Sequence, residues 1–222
     1  MLALAEKPMT TDWTKKAEKI AAAIAEHAAK HDADDSFVTE GFSALEEAGF
    51  FTALVPQEFG GGGATISEVA DALRIIGAAC SSTALAASMH SHIIAVAAWR
   101  FKNQGAPTDG LLKRVVAEKL KLVSSGGSDW LSSAGTMEKV EGGYKLTARK
   151  AFASGSTVGS LLNTSAVYDD PEAGPTVLHF GAPLKGDGVR IEPTWQTLGM
   201  RGTGSDDVVF DGIISHSGSG VL

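Results

Sequence analysis

Residues 120–130 read Leu-Lys-Leu-Val-Ser-Ser-Gly-Gly-Ser-Asp-Trp, and this stretch separates two parts of the chain that differ in composition. Before it, alanine dominates and apolar residues recur every three or four positions, which is typical of amphipathic helices. After it, short segments rich in valine, leucine and threonine alternate with glycine-rich turns, which favours strands. The order predicts an α+β chain: an all-α helical domain over residues 1–119, followed by a small antiparallel β-barrel or sandwich domain over residues 120–222.

The first two helices have recognisable ends. Thr11 or Asp12 can cap a first helix, because these side chains accept hydrogen bonds from free backbone amides at a helix start. Ser36 is predicted to cap the second helix, and Gly49 to end it in a left-handed conformation. The first helix carries an apolar stripe at helical spacing, formed by Trp13, Ala17, Ile20, Ile24 and Ala28.

Three further helices follow in the first half. Thr65 and Glu68 form a capping-box pattern at the start of one of them. The next begins at Ser81 or Ser82 and is apolar on nearly all sides, so it is expected to lie centrally. A last helix is predicted from about residue 108 to 119. The glycine run 60–63 lacks the Gly-Lys-Ser/Thr that a phosphate-binding loop needs, so it is interpreted as a tight interhelical loop.

The second half is predicted to consist of strands joined by turns. Residues 136–140 and 144–149 flank Glu141-Gly142-Gly143, a strong signal for a hairpin. A second pair of strands is predicted at 161–168 and 176–182. Two more short strands are predicted at 189–192 and 207–214.

Composition excludes several classes of protein. The chain has 222 residues and a formal charge of −7, with 19 basic and 26 acidic residues and no basic block, which argues against nucleic-acid binding. No apolar run approaches the ~20 residues of a membrane helix. Met1 to Thr11 contains no apolar signal-peptide core, so a cytoplasmic location is predicted.

The histidines and the cysteine do not form a recognisable reactive site. His90 and His92 are two positions apart, so on a helix they point in different directions, and one core and one polar-face histidine is expected rather than a metal site. Cys80 is the single cysteine, which excludes a disulfide framework and predicts a small buried residue. No Gly-x-Ser-x-Gly nucleophile motif is present.

Three polar segments of the second half are rich in hydroxyls and glycine amides. They are residues 122–130, 150–156 and 195–212. Such groups supply hydrogen-bond donors in number, which suits a flat heteroaromatic ring with carbonyl oxygens, or a pyrophosphate. Each segment alone is better explained as a turn, but the occurrence of all three in this order favours a binding site.

This order resembles the acyl-CoA dehydrogenase family. In the helical half, residues 45–51, 54–61 and 81–90 are similar to that family's early segments, and residues 195–212 are the strongest match. The resemblance implies an oligomeric flavoprotein of fatty acid metabolism. It would bind FAD, with FMN as the alternative, and would oxidise the CH–CH bond of an acyl-CoA thioester.

The resemblance also implies roles for particular residues. Ser124 and Ser125 would contact the pyrimidine edge of the flavin, and Ser128 would lie toward the pyrophosphate. Phe152 would stand against the ring. Ser154 would bond the N5 region.

Two departures from the family leave the activity open. The loop at 124–129 is shorter than the family's Thr-Glu-Pro loop, which also fits the related flavin-dependent monooxygenases, fed with reduced flavin by a partner reductase. The family's C-terminal helical bundle, which carries the catalytic glutamate, has no counterpart, and residues 215–220 do not resemble the expected continuation.

The sequence therefore assigns no catalytic residue. It predicts a truncated chain that forms a homo-oligomer, because losing the bundle would expose apolar surface. A catalytically inactive remnant or assembly module is the third interpretation.

Overall fold

The computed structural model describes residues 11–216 and begins with five helices. Residues 1–10 and 217–222 lie outside this range. The first segment holds most of the stretch predicted to lack a signal-peptide core, and the second holds most of residues 215–220, predicted not to resemble the family's continuation. The helices are α1 (Trp13–Asp34), α2 (Thr39–Glu47), α3 (Ile66–Ala79), α4 (Ser81–Gln104) and α5 (Asp109–Ala117). Short 3-10 turns at Phe50–Thr52 and Gln57–Phe59 connect α2 to α3.

Two of the predicted helix starts are confirmed and one is wrong. Asp12 caps α1 by accepting a hydrogen bond from the Lys15 amide, and Thr65 forms a complete capping box at α3. Val38, and not Ser36, stands at the N-cap of α2. The Ser36 hydroxyl instead donates to Asp34 and lies 2.6 Å from His31 Nδ1. A buried histidine therefore competes with the helix start for this hydroxyl.

The glycine run forms the tight interhelical loop that the sequence predicts. A side chain at Gly61 would meet the Val55 carbonyl oxygen at 2.2 Å. A side chain at Gly62 would meet the Trp13 ring at 2.5 Å. The backbone here packs so closely on the helical core that only glycine fits. Gly49 adopts the predicted left-handed conformation with a φ of 72°.

One seven-stranded sheet forms the second half. Its strands are β1 (Leu122–Ser124), β2 (Thr136–Val140), β3 (Gly143–Lys150), β4 (Leu161–Asp170), β5 (Gly174–Pro183), β6 (Val189–Glu192) and β7 (Asp207–His216). The order is β1-β4-β2-β3-β7-β6, with β5 paired to β4. The predicted α+β class, helices followed by a small curled sheet, is confirmed.

The strand pairing differs from the predicted antiparallel arrangement in one respect. The β2–β3 and β4–β5 hairpins are antiparallel as predicted, but β1 and β2 both run parallel to β4. Residues 124–130 belong to the connection between β1 and β2. After this connection, β2 pairs with β4 in the same direction as β1 does. Within residues 11–216, no helix combines the length and apolar character needed to cross a membrane.

His90 joins the central helix to the first strand. It is buried, and its Nε2 donates to the Phe51 carbonyl oxygen at 2.6 Å while its Nδ1 accepts from the Leu122 amide at 3.0 Å. Burial lowers the pKa of His90 to about 4. His92 is exposed, so the prediction of one core and one surface histidine is confirmed.

A second junction ties the helices to the segment before β7. The Val38 amide donates to the Gly202 carbonyl oxygen at 3.2 Å, and Arg201 forms an ion pair with Asp35. A side chain at Gly202 would lie 2.9 Å from Val38 Cγ1. The α1–α2 connection and residues 201–203 are therefore in close contact. The last helix of the first half ends at Ala117 and the sheet begins at Leu122; the domain boundary at 119/120 stays a prediction.

Candidate functional site

The segment from Ser124 to Trp130, called here the 124–130 loop, leaves the end of β1 and lies between α4 and the sheet. The Gly126 amide donates to the Ala151 carbonyl oxygen at 3.1 Å, which holds the loop against the end of β3. A short helix, α6 (Asp129–Ser132), follows where the sequence predicted only loop. The loop thus reaches residues 150–156, the second of the three polar segments.

A buried ion pair between Lys150 and Asp129 holds this loop in place. Lys150 is fully buried, and its Nζ donates to Asp129 Oδ1 at 2.7 Å and to two backbone carbonyls. The other carboxylate oxygen accepts from Ser125 Oγ at 2.7 Å and from Thr164 Oγ1 at 2.9 Å. Because every group of this cluster has partners, the loop is held in one conformation.

The charges of the pair follow from these contacts. Burial favours the neutral acid at Asp129, but hydrogen bonds from Lys150 and Ser125 outweigh it and hold the pKa of this carboxyl below its usual value. Burial lowers the pKa of Lys150, against the opposing effect of Asp129. The close contact of the two groups supports the charged form of both at neutral pH.

Cavities lie on both sides of the loop. The larger, called here the α4 cavity, has a volume of about 730 Å³ and is bounded by α4, the loop and strands β4 and β5. The smaller, called here the Phe152 cavity, has a volume of about 300 Å³. Ser124 and Ser125 line the first, whereas Ser128 and Phe152 line the second.

The five residues predicted to contact a flavin therefore surround one loop but do not share one cavity. Ser154 lies beneath the surface, two positions after Phe152. The hydroxyl of Ser125 donates inward to Asp129, which gives this residue a part in holding the loop. Ser124 donates to Met89 Sδ at 3.4 Å. Their contacts with a cofactor stay predictions.

Phe152 is presented to solvent by an unusual backbone. Its φ is 60°, in the left-handed region that non-glycine residues seldom adopt, and its side chain is 56% exposed. The ring packs edge-to-face on Trp195 at 6.0 Å between centroids. A backbone outlier that exposes an aromatic ring beside a cavity is typical of a ligand-binding position.

Ser154, Ser205 and Thr203 form a chain of hydrogen-bonded hydroxyls, and each hydroxyl donates in the direction away from Ser154. Thr203 Oγ1 donates to the Met200 carbonyl oxygen at 2.9 Å, and a carbonyl can only accept. Ser205 must therefore donate to Thr203, at 2.6 Å, and Ser154 must donate to Ser205, at 2.7 Å. With its proton used inward, Ser154 offers only lone pairs to a ligand.

Three buried polar atoms have no hydrogen-bond partner among the described residues: Ser133 Oγ, Asn163 Nδ2 and His179 Nδ1. Ser133 lines the Phe152 cavity, and the other two residues line the α4 cavity. Buried polar atoms are normally satisfied, and because the Asn163 amide nitrogen donates and the Ser133 hydroxyl can donate, these positions suit ligands that carry acceptors. The carbonyl oxygens, ring nitrogens and phosphate oxygens of a flavin are acceptors of this kind, and the residues present fit such a group.

Several of these residues were missed by the sequence analysis. Lys150 could have been found, because it follows Leu146 and Ala148 at every second position of β3 and must share their inward face. Its burial then demands a carboxylate partner. Asn163 and His179 carry no local signal, since only the pairing of β4 with β5 brings them together.

Within residues 11–216, no group of three or more His, Cys, Asp or Glu residues is arranged to hold a metal ion. Cys80 is buried and accepts a hydrogen bond from Thr83, which confirms its prediction as a small buried residue.

Comparison with known proteins confirms the resemblance found in the sequence. Residues 12–105 match the family model for the acyl-CoA dehydrogenase N-terminal domain. The chain is 30% identical over 203 residues to the pigment production hydroxylase of Rhodococcus sp. (strain ATCC 21145), covering 91% of this chain and 49% of the hydroxylase.

Two further similarities extend over both halves of the chain. The cyclohex-1-ene-1-carbonyl-CoA dehydrogenase of Syntrophus aciditrophicus (strain SB) is 28% identical over 202 residues, which cover 85% of this chain and 46% of that enzyme. The structure of KijD3 in complex with FMN and dTDP-3-amino-2,3,6-trideoxy-4-keto-3-methyl-D-glucose has a TM-score of 0.80 and 27% identity, covering 95% of this chain and 53% of KijD3. The chain spans about half the length of the curated relatives that it matches.

Proposed function

We propose that this chain, which carries the N-terminal helical and middle β domains of the acyl-CoA dehydrogenase-like fold, binds a flavin in its reduced form and serves flavin-dependent monooxygenation. The observation that carries the proposal is the direction of the hydroxyl chain that ends at Ser154. The family resemblance implies that this hydroxyl would lie beside flavin N5, which supports the proposal. The relatives that the chain matches include a hydroxylase and an FMN-bound structure.

The direction in which the Ser154 hydroxyl donates distinguishes reduced flavin from oxidised flavin. A serine that has donated its proton inward can bond only a donor. Position N5 bears a hydrogen in reduced flavin and none in oxidised flavin. Ser154 therefore matches a flavin that arrives reduced, as in an oxygenase supplied by a separate reductase.

The residues that line the Phe152 cavity, close in sequence to the buried Ser154, have complementary tasks. The exposed Phe152 ring offers a face for the flat ring system, and the Ser128 and Ser133 hydroxyls can donate to acceptor oxygens. The Asp129–Lys150 pair keeps the 124–130 loop in place. When bound, reduced flavin supplies the two electrons with which dioxygen yields one oxygen atom for the substrate and one water.

Dehydrogenation of an acyl-CoA thioester is the second candidate, favoured by the match to the dehydrogenase N-terminal domain and to a CoA-ester dehydrogenase. This reaction needs a base for the α-proton. Among the described residues that line the α4 cavity there is no aspartate or glutamate. This candidate therefore requires a base from outside the α4 cavity.

An oxygen-transfer experiment tests the proposal. The 222-residue chain is loaded with FMN or FAD, reduced chemically under nitrogen, and mixed with ¹⁸O₂ and a panel of phenols and amines. We expect ¹⁸O in a product, detected by mass spectrometry. A Ser154→Ala variant should bind reduced flavin more weakly, while Ser156→Ala, whose hydroxyl lies outside the chain of three, should bind normally.

Two results would contradict the proposal. One is a chain that retains no flavin after dialysis in either oxidation state. The other is anaerobic bleaching of bound flavin by acyl-CoA without any ¹⁸O-containing product, which would establish the dehydrogenase. The cytoplasmic location and the homo-oligomer stay predictions, and sedimentation velocity measures the second.

A further inference from the structure

We infer that the α4 cavity binds a flat aromatic substrate that carries an anionic oxygen, as in an aryl carboxylate or a phenolate. This inference rests on the proposed function and specifies the substrate class of the same site. It comes from three features of the cavity wall: a flat aromatic face, buried donors without partners, and an arginine without a carboxylate.

The flat face is formed by two stacked rings. Trp130 and His179 lie 4.8 Å apart between ring centroids, with an angle of 22° between their planes. Both residues line the α4 cavity. Stacking covers one face of each ring and fixes the orientation of both, so an outer ring face on the cavity side offers a rigid flat surface for a planar ligand.

The two unpartnered side chains, Asn163 and His179, share one side of the β4–β5 hairpin. His179 is directly opposite Ser165, and Asn163 is two residues before Ser165, so strand alternation puts Asn163 and His179 on one face. Their neighbours Leu162 and Phe180 belong to the sheet core on the other face. Asn163 is only 5% exposed, yet its amide nitrogen bonds to none of the described residues. A ligand oxygen in the cavity would supply the acceptor.

The charge of the wall is positive. Arg100 on α4 lines the cavity and bonds only the neutral Gln104 side chain, and among the described residues it forms no ion pair. His92 lines the same wall, but burial lowers its pKa, so the charge comes from Arg100. Because no carboxylate lines the cavity within residues 11–216, an anionic ligand would meet no repulsion there.

These three features together define the ligand class. An aliphatic acyl chain would leave the Asn163 amide nitrogen without a partner, at a cost in free energy, and would not use the charge of Arg100. A neutral aromatic ring would use the Trp130 wall but not the charge. A ring with a carboxylate or phenolate oxygen uses both, and the apolar side chains of Met89 and Ile93 can cover its edges.

Binding of three matched compounds to the flavin-free chain tests the inference. Ligand-observed NMR titrations compare benzoate, benzyl alcohol, which lacks the charge, and cyclohexanecarboxylate, which lacks the flat ring. We expect benzoate to bind tightest. Benzyl alcohol should bind about tenfold more weakly, the value of a charge-assisted hydrogen bond. Cyclohexanecarboxylate should bind about three- to tenfold more weakly.

Variants assign the effects to residues. Arg100→Gln should weaken benzoate about tenfold and leave benzyl alcohol nearly unchanged, whereas Lys102→Gln, a charge removal elsewhere on α4, should change neither. Trp130→Leu keeps an apolar wall but should abolish the preference for benzoate over cyclohexanecarboxylate. Equal binding of the three compounds, or equal loss in both charge variants, would overturn the inference.

The outcome is separable from that of the proposed function. The titrations contain no flavin, so a chain that fails to bind flavin but discriminates among the three compounds refutes only the monooxygenase. A chain that transfers ¹⁸O to amines but binds the three compounds equally refutes only the aromatic anion.

Discussion

At the scale of single residues, the proton of Ser205 decides what Ser154 can offer. Ser205 donates to Thr203 because Thr203 is committed to a backbone carbonyl. Ser205 must then accept from Ser154, whose oxygen retains only lone pairs for a ligand. A ligand atom beside Ser154 must therefore bring its own hydrogen.

This direction of donation, from Ser154 to Ser205 to Thr203, predicts the effect of Ser205→Ala on a bound flavin. Without Ser205, Ser154 is free to donate its proton to oxidised N5, which stabilises the oxidised state. We expect the midpoint potential of bound flavin to fall by about 10–30 mV, the equivalent of one neutral hydrogen bond. Spectroelectrochemistry measures the potential, and Ser156→Ala is the control. An unchanged or higher potential in the Ser205→Ala protein would contradict the inferred direction.

The Asp129–Lys150 pair predicts a large loss of stability when one partner is removed. Asp129→Asn leaves the fully buried Lys150 ammonium without its counterion, and we expect the free energy of unfolding to fall by about 3–5 kcal/mol. Urea denaturation measures this value. The exposed Ser132→Ala substitution on the same short helix should have little effect.

A double replacement separates charge from packing. Asp129→Leu combined with Lys150→Met removes both charges and should recover much of the stability lost by Asp129→Asn, since no unpaired charge remains buried. A double variant that is as unstable as Asp129→Asn would show that the hydrogen bonds of the carboxylate to the loop, and not the charge, govern stability.

At the scale of helices and strands, His90 makes the contact between α4 and β1 sensitive to pH. Its Nδ1 accepts from the Leu122 amide only when the ring is neutral. The pKa of His90 is about 4 in the folded chain against 6.5 as the ordinary value. The unfolded chain therefore takes up a proton first as pH falls, so the stability that His90 supplies is present above pH 6.5 and is lost toward pH 4.

The size of the expected loss of stability follows from these two pKa values of His90. Between pH 7 and pH 5, His90 should contribute a loss of about 2 kcal/mol in the free energy of unfolding. Urea denaturation at the two pH values measures it, and the His90→Gln variant should show a smaller pH dependence by that amount. His92→Gln should reduce the pH dependence by less, because burial lowers the pKa of His92 in the same direction but not as far. Identical pH dependences of wild type and His90→Gln would refute the assignment.

The elements themselves were largely predictable from local sequence. The Thr65–Glu68 capping box and the Glu141-Gly142-Gly143 turn act within a few residues, and both form as predicted. Ser36 failed as a cap because His31, a buried residue on α1, holds its hydroxyl. That competition depends on tertiary packing, which no window of sequence contains.

The site was less predictable than the fold for the same reason. The 124–130 loop was identified by its hydroxyls and glycines, and the structure puts it between two cavities. The stack of Trp130 on His179 joins residues that are far apart in sequence. Their contact follows from the β4–β5 register and the position of α6, an element that the sequence analysis did not predict.

At the scale of the whole molecule, Gly202 couples the two halves. An added methyl group would lie 2.9 Å from Val38 Cγ1 and 3.3 Å from His31 Cβ, both on the helical side. Neither neighbour is the end of a long flexible side chain, so it cannot move aside easily. The helical half and the segment before β7 are thus closely fitted to each other at this backbone position.

We expect Gly202→Ala to lower the free energy of unfolding by about 1–3 kcal/mol, the usual effect of overpacking. Calorimetry measures the change. Gly199→Ala provides a matched control, because nothing lies within 4 Å of the added methyl group there. Equal stability of the two variants would show that the junction tolerates displacement.

The complete burial of Lys150 has a further consequence, for chemical labelling. Amine-reactive reagents cannot reach its ammonium group while the sheet is intact, whereas Lys145, exposed on the same strand, is open to them. Acylation of Lys150 should therefore proceed only through opening of the sheet, and its rate relative to Lys145, followed by peptide mass spectrometry, reports how often this opening occurs. The acylation rate of Lys150 would thus measure the frequency of sheet opening. A ligand that stabilises the closed sheet should slow the acylation of Lys150 without changing that of Lys145.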